Sequence, residues 1–208
     1  MTDLVIALDG PAGSGKSTVA RAVAARLGLG YLDTGAMYRA VACAALRRGI
    51  NPSDTAKVGT LAREVALEVA DRVIVDGEDA TEAVRSPEVT IAVTAVASNP
   101  EVRVELVNRQ RRWVVDNGGG VVEGRDIGSV VFPDAQVKIF LTADAGERER
   151  RRRSEAGEAV ARDMARRDQA DSTRAHSPLT VAEGAVVIDT TDCDIEAVVE
   201  RVIALVPA

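Results

Sequence analysis

Gly10, Pro11, Ala12, Gly13, Ser14, Gly15, Lys16 and Ser17 have the spacing G-x-x-x-x-G-K-S. Glycines at such positions let neighbouring backbone N–H groups converge on one anion. A helix starting directly behind them adds the positive end of its dipole. The lysine of this pattern reaches the β- and γ-phosphates of a nucleoside triphosphate, and the serine hydroxyl is a ligand for Mg2+. The flanking residues supply the required context. Leu4, Val5, Ile6, Ala7 and Leu8 form a short apolar run that reads as a buried parallel strand. From Ser17 to Leu27, the residues Val19, Val23 and Leu27 share one helical face, and Gly28 is a stop signal. The loop specifies a phosphoryl donor and leaves the acceptor open. A guanine-reading N-K-x-D motif is absent, which argues against a GTPase.

An acceptor that is itself a phosphate brings its own nucleophilic oxygen. The demand is then for cations around two facing phosphates rather than for a general base. The chain has a single histidine, His176, and its cations are almost all arginines, which suit bidentate phosphate contacts. Arg39 lies about one turn into a helix that follows Tyr31-Leu32-Asp33, and Arg125 directly follows the run ending at Glu123. Both places are carboxyl ends of strands, the usual ligand edge of an open α/β sheet. Arg167 and Arg174 lie in a highly charged stretch, residues 147–174, which reads as solvated helices able to move.

The elements that must position these residues follow from pattern. Helices are expected over residues 36–48, 58–65 and 88–97. Another starts at Asn99-Pro100, with the asparagine as cap and the proline in the first position, and runs to about Val115. Residues 67–69 and 72–75 alternate like strands before the turn signal Asp76-Gly77, so a small hairpin interrupts the αβ series. Residues 120–123, 137–141 and 186–188 read as further buried strands, and residues 194–205 as the last helix. Trp113 is expected in the core.

Composition sets the outer bounds. The 208 residues fit one α/β domain, and a hydrophobic fraction of 46% with almost no aromatics implies a core of Ala, Val, Leu and Ile. The net charge of −6 and the missing stacking aromatics argue against nucleic-acid binding. Cys43 and Cys193 are far apart and, with one histidine, make no zinc pattern. Neither a signal peptide nor a membrane-length apolar run is present, so a cytoplasmic monomer is expected.

The segments D-G-P-A-G-S-G-K-S-T, Y-L-D-T-G-A-M-Y-R, E-G-R-D-I-G-S-V-V-F-P-D-A and R-D-Q-A-D-S-T-R together resemble the bacterial cytidylate kinases, a branch of the nucleoside monophosphate kinases. The resemblance runs nearly end to end. It implies a P-loop three-layer α/β fold with a central parallel sheet, made of residues 1–33, 100–144 and 173–208. It also implies an acceptor-binding insert over residues 34–99 and an Arg-rich lid over residues 145–172. The implied partners are ATP and CMP or dCMP, with Mg2+ as cofactor. By the same resemblance, residues 10–17 with Thr18 hold ATP, and Arg148 and Arg152 of the lid cover the triphosphate. Arg39, Arg125 and Arg174 resemble the arginines on the acceptor phosphate, while Arg167 and Asp171 resemble the pair at the sugar. Thr94, Arg103 and Asp126 match positions that read cytosine, with Thr34 in support. A carboxylate accepts from the cytosine amino group and an arginine donates to its acceptors, whereas uracil would set a carbonyl against Asp126. Lys16, Arg125, Arg167 and Arg174 are the expected catalytic cations. Ser17 is the expected metal ligand, with Glu123 acting through water. The family commonly has Asp where this chain has Glu123, and Asp33 is a second carboxylate for the metal neighbourhood.

Two other readings stay open from residues alone. A different small-molecule P-loop kinase would need another use for the insert and for Thr94, Arg103 and Asp126. A nucleotide-binding regulator without catalysis would be expected to lack Lys16 or the acceptor arginines, and none is lost.

Overall fold

The computed structural model describes residues 4–156 and 179–207. In chain order its elements begin with β1 (Leu4–Asp9), α1 (Lys16–Leu27), β2 (Tyr31–Asp33), α2 (Thr34–Arg47) and α3 (Thr55–Glu64). Next come β3 (Leu67–Val69), β4 (Val73–Val75), β5 (Glu78–Asp79), α4 (Pro87–Ser98) and α5 (Pro100–Asn117). The series closes with β6 (Gly119–Gly124), β7 (Val137–Thr142), α6 (Ala145–Ala156), β8 (Val186–Asp189) and α7 (Ile195–Ile203). Two compact units result. One is Met1–Leu32 with Trp113–Ala208, the other Asp33–Arg112.

The first unit is built on a five-stranded sheet of order β2-β6-β1-β7-β8. β1 pairs in parallel with β6 and β7, and β7 with β8. Central parallel strands are covered on both faces, which is why their sequences are continuous apolar runs rather than alternating ones. β6 is buried at every position and β1 at all but Leu4. Ile6, Leu8, Val121, Ile139, Leu141 and Ile188 of the strands share one core with Val19 and Val23 of α1 and Val198 and Val202 of α7. The register sets Leu8 beside Glu123 and Asp9 beside Gly124, so the carboxyl ends of β1 and β6 finish level.

The second unit is helical, with a small antiparallel sheet of order β3-β4-β5. Its helices start where the sequence supplies caps. The Asp54 side chain accepts from the Lys57 N–H at 3.1 Å, and the Ser86 hydroxyl accepts from Val89 at 3.3 Å. Pro87 in the first turn and the Ser86 cap commit the β-branched run of α4 to helix. Asn99 caps α5, its side-chain oxygen accepting from the Glu101 N–H at 3.0 Å.

Some expectations needed correction. β5 was not foreseen, because Glu78-Asp79 shows no apolar alternation; main-chain pairing alone makes it a strand. Trp113 is half-buried rather than a core residue. Its ring lies over Gly30 and Gly120, where an added Cβ would come within 2.9 Å and 2.7 Å of it.

Candidate functional site

In the first unit the phosphate loop joins β1 to α1. Gly15 is the N-cap of α1 and adopts φ 83°. Gly13 has φ 73°, and a Cβ there would lie 2.6 Å from the Arg148 carbonyl oxygen, so both strain and space require glycine. Lys16 donates through Nζ to the Pro11 carbonyl at 3.4 Å, and Ser17 and Thr18 are exposed in the first turn of α1. Ser14 is fully buried. Its carbonyl oxygen accepts from the Thr190 hydroxyl at 3.0 Å, which ties the loop to the chain after β8.

The segment after β6 is fastened to this loop. Arg125 Nη1 donates to the Gly10 carbonyl at 2.9 Å. Asp9, 3% exposed, accepts from the Ile127 N–H through Oδ1 and from the Gly128 N–H through Oδ2, each at 2.8 Å. Asp126 is buried, and the chain then makes a π-helical turn, Ile127–Val131. Burial pushes the Asp9 carboxyl up to about 6; the two amide bonds and Lys16 oppose the rise and nearby Asp126 adds to it. Glu123, at 2% exposure, accepts from the Tyr31 hydroxyl at 2.7 Å.

α6 begins against the back of the loop rather than as a freely solvated helix. Arg148 donates to the carbonyls of Ala143 at 3.1 Å and Ala12 at 3.2 Å. Arg151 donates to the Thr190 hydroxyl at 3.0 Å and to the Thr190 carbonyl at 2.7 Å. Hydrogen bonds from Arg150 and then Arg151 hold the Glu147 carboxyl down to about 2. The side chain of Arg152, and all of Arg167, Asp171 and Arg174, lie outside the described residues.

In the second unit Asp33 caps α2. It accepts from the Ala36 N–H at 2.8 Å through Oδ1 and from Arg39 at 3.0 Å through Oδ2, so both of its oxygens are engaged. The Nε of Arg39 is buried and has no hydrogen-bond partner among the described residues, a donor waiting for an acceptor. Thr34, the residue after Asp33, is buried. Arg103 is 6% exposed, and its guanidinium stands 5.7 Å from the centre of the Tyr38 ring. Thr94 is half-buried, and its carbonyl accepts from the Ser98 hydroxyl at 2.9 Å.

The family model described as cytidylate kinase matches residues 6–208. A cytidylate kinase of Mycobacterium leprae (strain Br4923) is 52% identical over 92% of this chain and 90% of its own length. One of Desulfitobacterium hafniense (strain Y51) is 50% identical over 98% and 92%. The chain belongs to the cytidylate kinase family. Solved structures share its fold at low identity. One, a protein of Thermus thermophilus, has a TM-score of 0.52 with 22% identity and covers 100% of both chains. The shikimate kinase of Acinetobacter baumannii has a TM-score of 0.50 with 15% identity, over 98% of this chain and 93% of that one.

Within this cytidylate kinase fold the residues offered to a metal are hard oxygen donors. The Ser17 hydroxyl is open to solvent, and the Glu123 carboxylate is buried at the end of β6. Among the described residues no group of three carboxylate, His or Cys ligands converges. Mg2+ keeps several waters and takes most of its remaining oxygens from substrate phosphates, so this sparse set fits it. Sequence reading missed Asp9 and Thr190 as supports of the loop region and Tyr31 as the partner of Glu123. Only Asp9 left a trace, as the acidic residue before Gly10. The others are marked by partners far away in the chain.

Proposed function

We propose that the chain transfers the γ-phosphoryl group of ATP to CMP or dCMP, giving ADP and CDP or dCDP. The observation that carries the reading is the fastening of residues 125–128 to Asp9 and the start of the phosphate loop, Arg125 donating to Gly10 and Ile127 and Gly128 donating to Asp9. The donor loop and the segment that resembles an acceptor reader thus belong to one rigid edge of one sheet. Family membership over residues 6–208 supports the same acceptor.

In this reading residues 10–18, through their main-chain N–H groups at all positions but Pro11, and Lys16 bind the ATP phosphates. Arg39, Arg125, Arg167 and Arg174 hold the acceptor phosphate, the buried Nε of Arg39 being one available donor. Asp126 accepts from the cytosine amino group, Arg103 and Thr94 complete the base contacts with Thr34 in support, and Asp171 accepts from the sugar. Residues 34–99 serve as the acceptor-binding insert. Residues 145–172 serve as the lid, with Arg148 and Arg152 towards the triphosphate. Ser17, with Glu123 acting through water, would hold Mg2+, which would supply positive charge to the triphosphate. Catalysis is then positioning plus charge stabilisation in a site closed to water.

The test is a coupled ADP-release assay with CMP, dCMP, UMP, AMP, GMP and shikimate. CMP and dCMP should give the highest kcat/KM. Faster turnover of UMP or AMP would overturn the proposal.

A further inference from the structure

Asp9 is the residue before the phosphate loop, and its carboxylate oxygens accept from main-chain N–H groups of another segment. Both are spent on the other side of the sheet edge, one on the Ile127 N–H and one on the Gly128 N–H, at 2.8 Å each. These are the two amides that follow Asp126. On the other flank of Asp126, Arg125 is bound to Gly10, the residue that follows Asp9. The dipeptide Asp9-Gly10 therefore grips the 125–128 segment at both ends, with Asp126 between the two attachments. Beyond the grip the chain closes on itself, the Val130 N–H donating to the Asp126 carbonyl at 2.9 Å and the Phe132 N–H to the Ile127 carbonyl at 2.7 Å. Such π-type turns are uncommon and cluster at functional sites.

We infer that Asp9 is a positioning residue for acceptor recognition, holding Arg125 and Asp126 at the angle from which they read the acceptor nucleotide. The inference rests on the reading of Asp126 as the residue that meets the cytosine amino group. The physical reason is geometric. A carboxylate offers two acceptors to two converging N–H groups, and charge makes both bonds strong. An amide of the same shape offers one acceptor and turns a donor towards the second N–H. The turn must then shift or leave a buried donor unmet. Because Asp126 is buried and rigidly framed, a small shift of its backbone moves its carboxylate against the base.

The experiment measures kcat and KM for ATP, CMP and UMP in the wild type and in Asp9→Asn, Asp9→Glu and Asp126→Asn. Asp9→Asn should raise the KM for CMP and narrow the CMP-over-UMP ratio of kcat/KM, each by about tenfold, the size of one charge-assisted bond. Its KM for ATP should stay within about twofold. Asp9→Glu keeps the charge but not the reach, and should not restore the ratio. A narrowed ratio in Asp126→Asn with an unchanged ratio in Asp9→Asn overturns the inference and leaves the base reading standing. An unchanged ratio in Asp126→Asn overturns the base reading, and with it the inference. Should the Asp9 variants fail to fold, the wild-type enzyme carries the test. The charged groups facing Asp9 are Asp126 from the turn and Lys16 from α1. From about pH 5 to about pH 8, the CMP-over-UMP ratio should change with the same midpoint as the Ile127 and Gly128 amide resonances. Ionisation of the acceptor phosphate is common to both substrates and cancels in the ratio. A ratio that stays flat while those resonances titrate overturns the inference.

Discussion

In the proposed reading the phosphate loop binds with its backbone, whereas the residues assigned to the acceptor bind with side chains carried on separate elements. Residues 10–17 are contiguous, and their geometry is set by glycines and by the start of α1. Arg39 sits on α2, Arg103 on α5, and Arg125 and Asp126 after β6. A backbone site tolerates little change of shape but is indifferent to most side chains. A side-chain site is the reverse, since each residue can be exchanged without refolding the element that bears it. The difference teaches why P-loop folds keep one donor site and carry many acceptors.

Substitutions should separate the two halves. The largest effect is expected at the donor. Lys16→Met removes the cation proposed to stabilise the transferring group, and kcat should fall by roughly three decades, with little change in the KM for CMP. Gly13→Val forces a side chain onto the Arg148 carbonyl in a left-handed backbone, and should abolish detectable ATP binding by calorimetry. Next comes Arg125→Ala, expected to cost about two decades of kcat/KM for CMP. Because Arg125 also donates to Gly10, this variant touches both halves, and a rise in the KM for ATP would show how tightly they are coupled. Asp126→Asn should be milder, narrowing the CMP-over-UMP ratio by roughly ten- to hundredfold, the range of one unmet buried polar group.

A further effect is one of pH on stability. The Asp9 carboxyl is raised from 3.8 to about 6, so between those values the folded chain binds more protons there than the unfolded chain. Its contribution to stability is therefore present at low pH and lost as pH rises through about 6, by an amount on the order of 3 kcal/mol. Asp9→Asn removes this titration. Urea unfolding at about pH 4.5 and about pH 7.5 should show the variant's deficit relative to the wild type shrinking at the higher pH. A constant deficit would mean that Asp9 is not raised. The smallest effect should come from Arg26→Ala. Its pairs with Glu196 and Glu200, at 2.5 Å and 2.6 Å, join exposed side chains and should leave Tm unchanged within error.

Legibility followed the same division. The strand, loop and α1 were readable because apolar periodicity and glycine spacing are local. The start of α4 was harder, since Val, Ile and Thr fit strand and helix alike, and the Ser86 cap with Pro87 decided it. The start of α6 was read as a solvated charged face. Its arginines proved to be anchored, because carbonyl oxygens of Ala12, Ala143 and Thr190, which no side-chain pattern records, are their partners.

By itself the sequence determined that a phosphate loop of the G-x-x-x-x-G-K-S kind stands between a buried strand and a helix, and which family the chain resembles. Each of these depends on residue types a few positions apart. Only the tertiary structure decided what holds the loop and the acceptor segment in place. Asp9 meets its amide partners 118 and 119 residues along the chain, and Thr190 reaches Ser14 across 176. Such pairs exist because the parallel register of β1, β6, β7 and β8 brings distant strand ends level. Burial there then requires every polar atom brought along to find a partner.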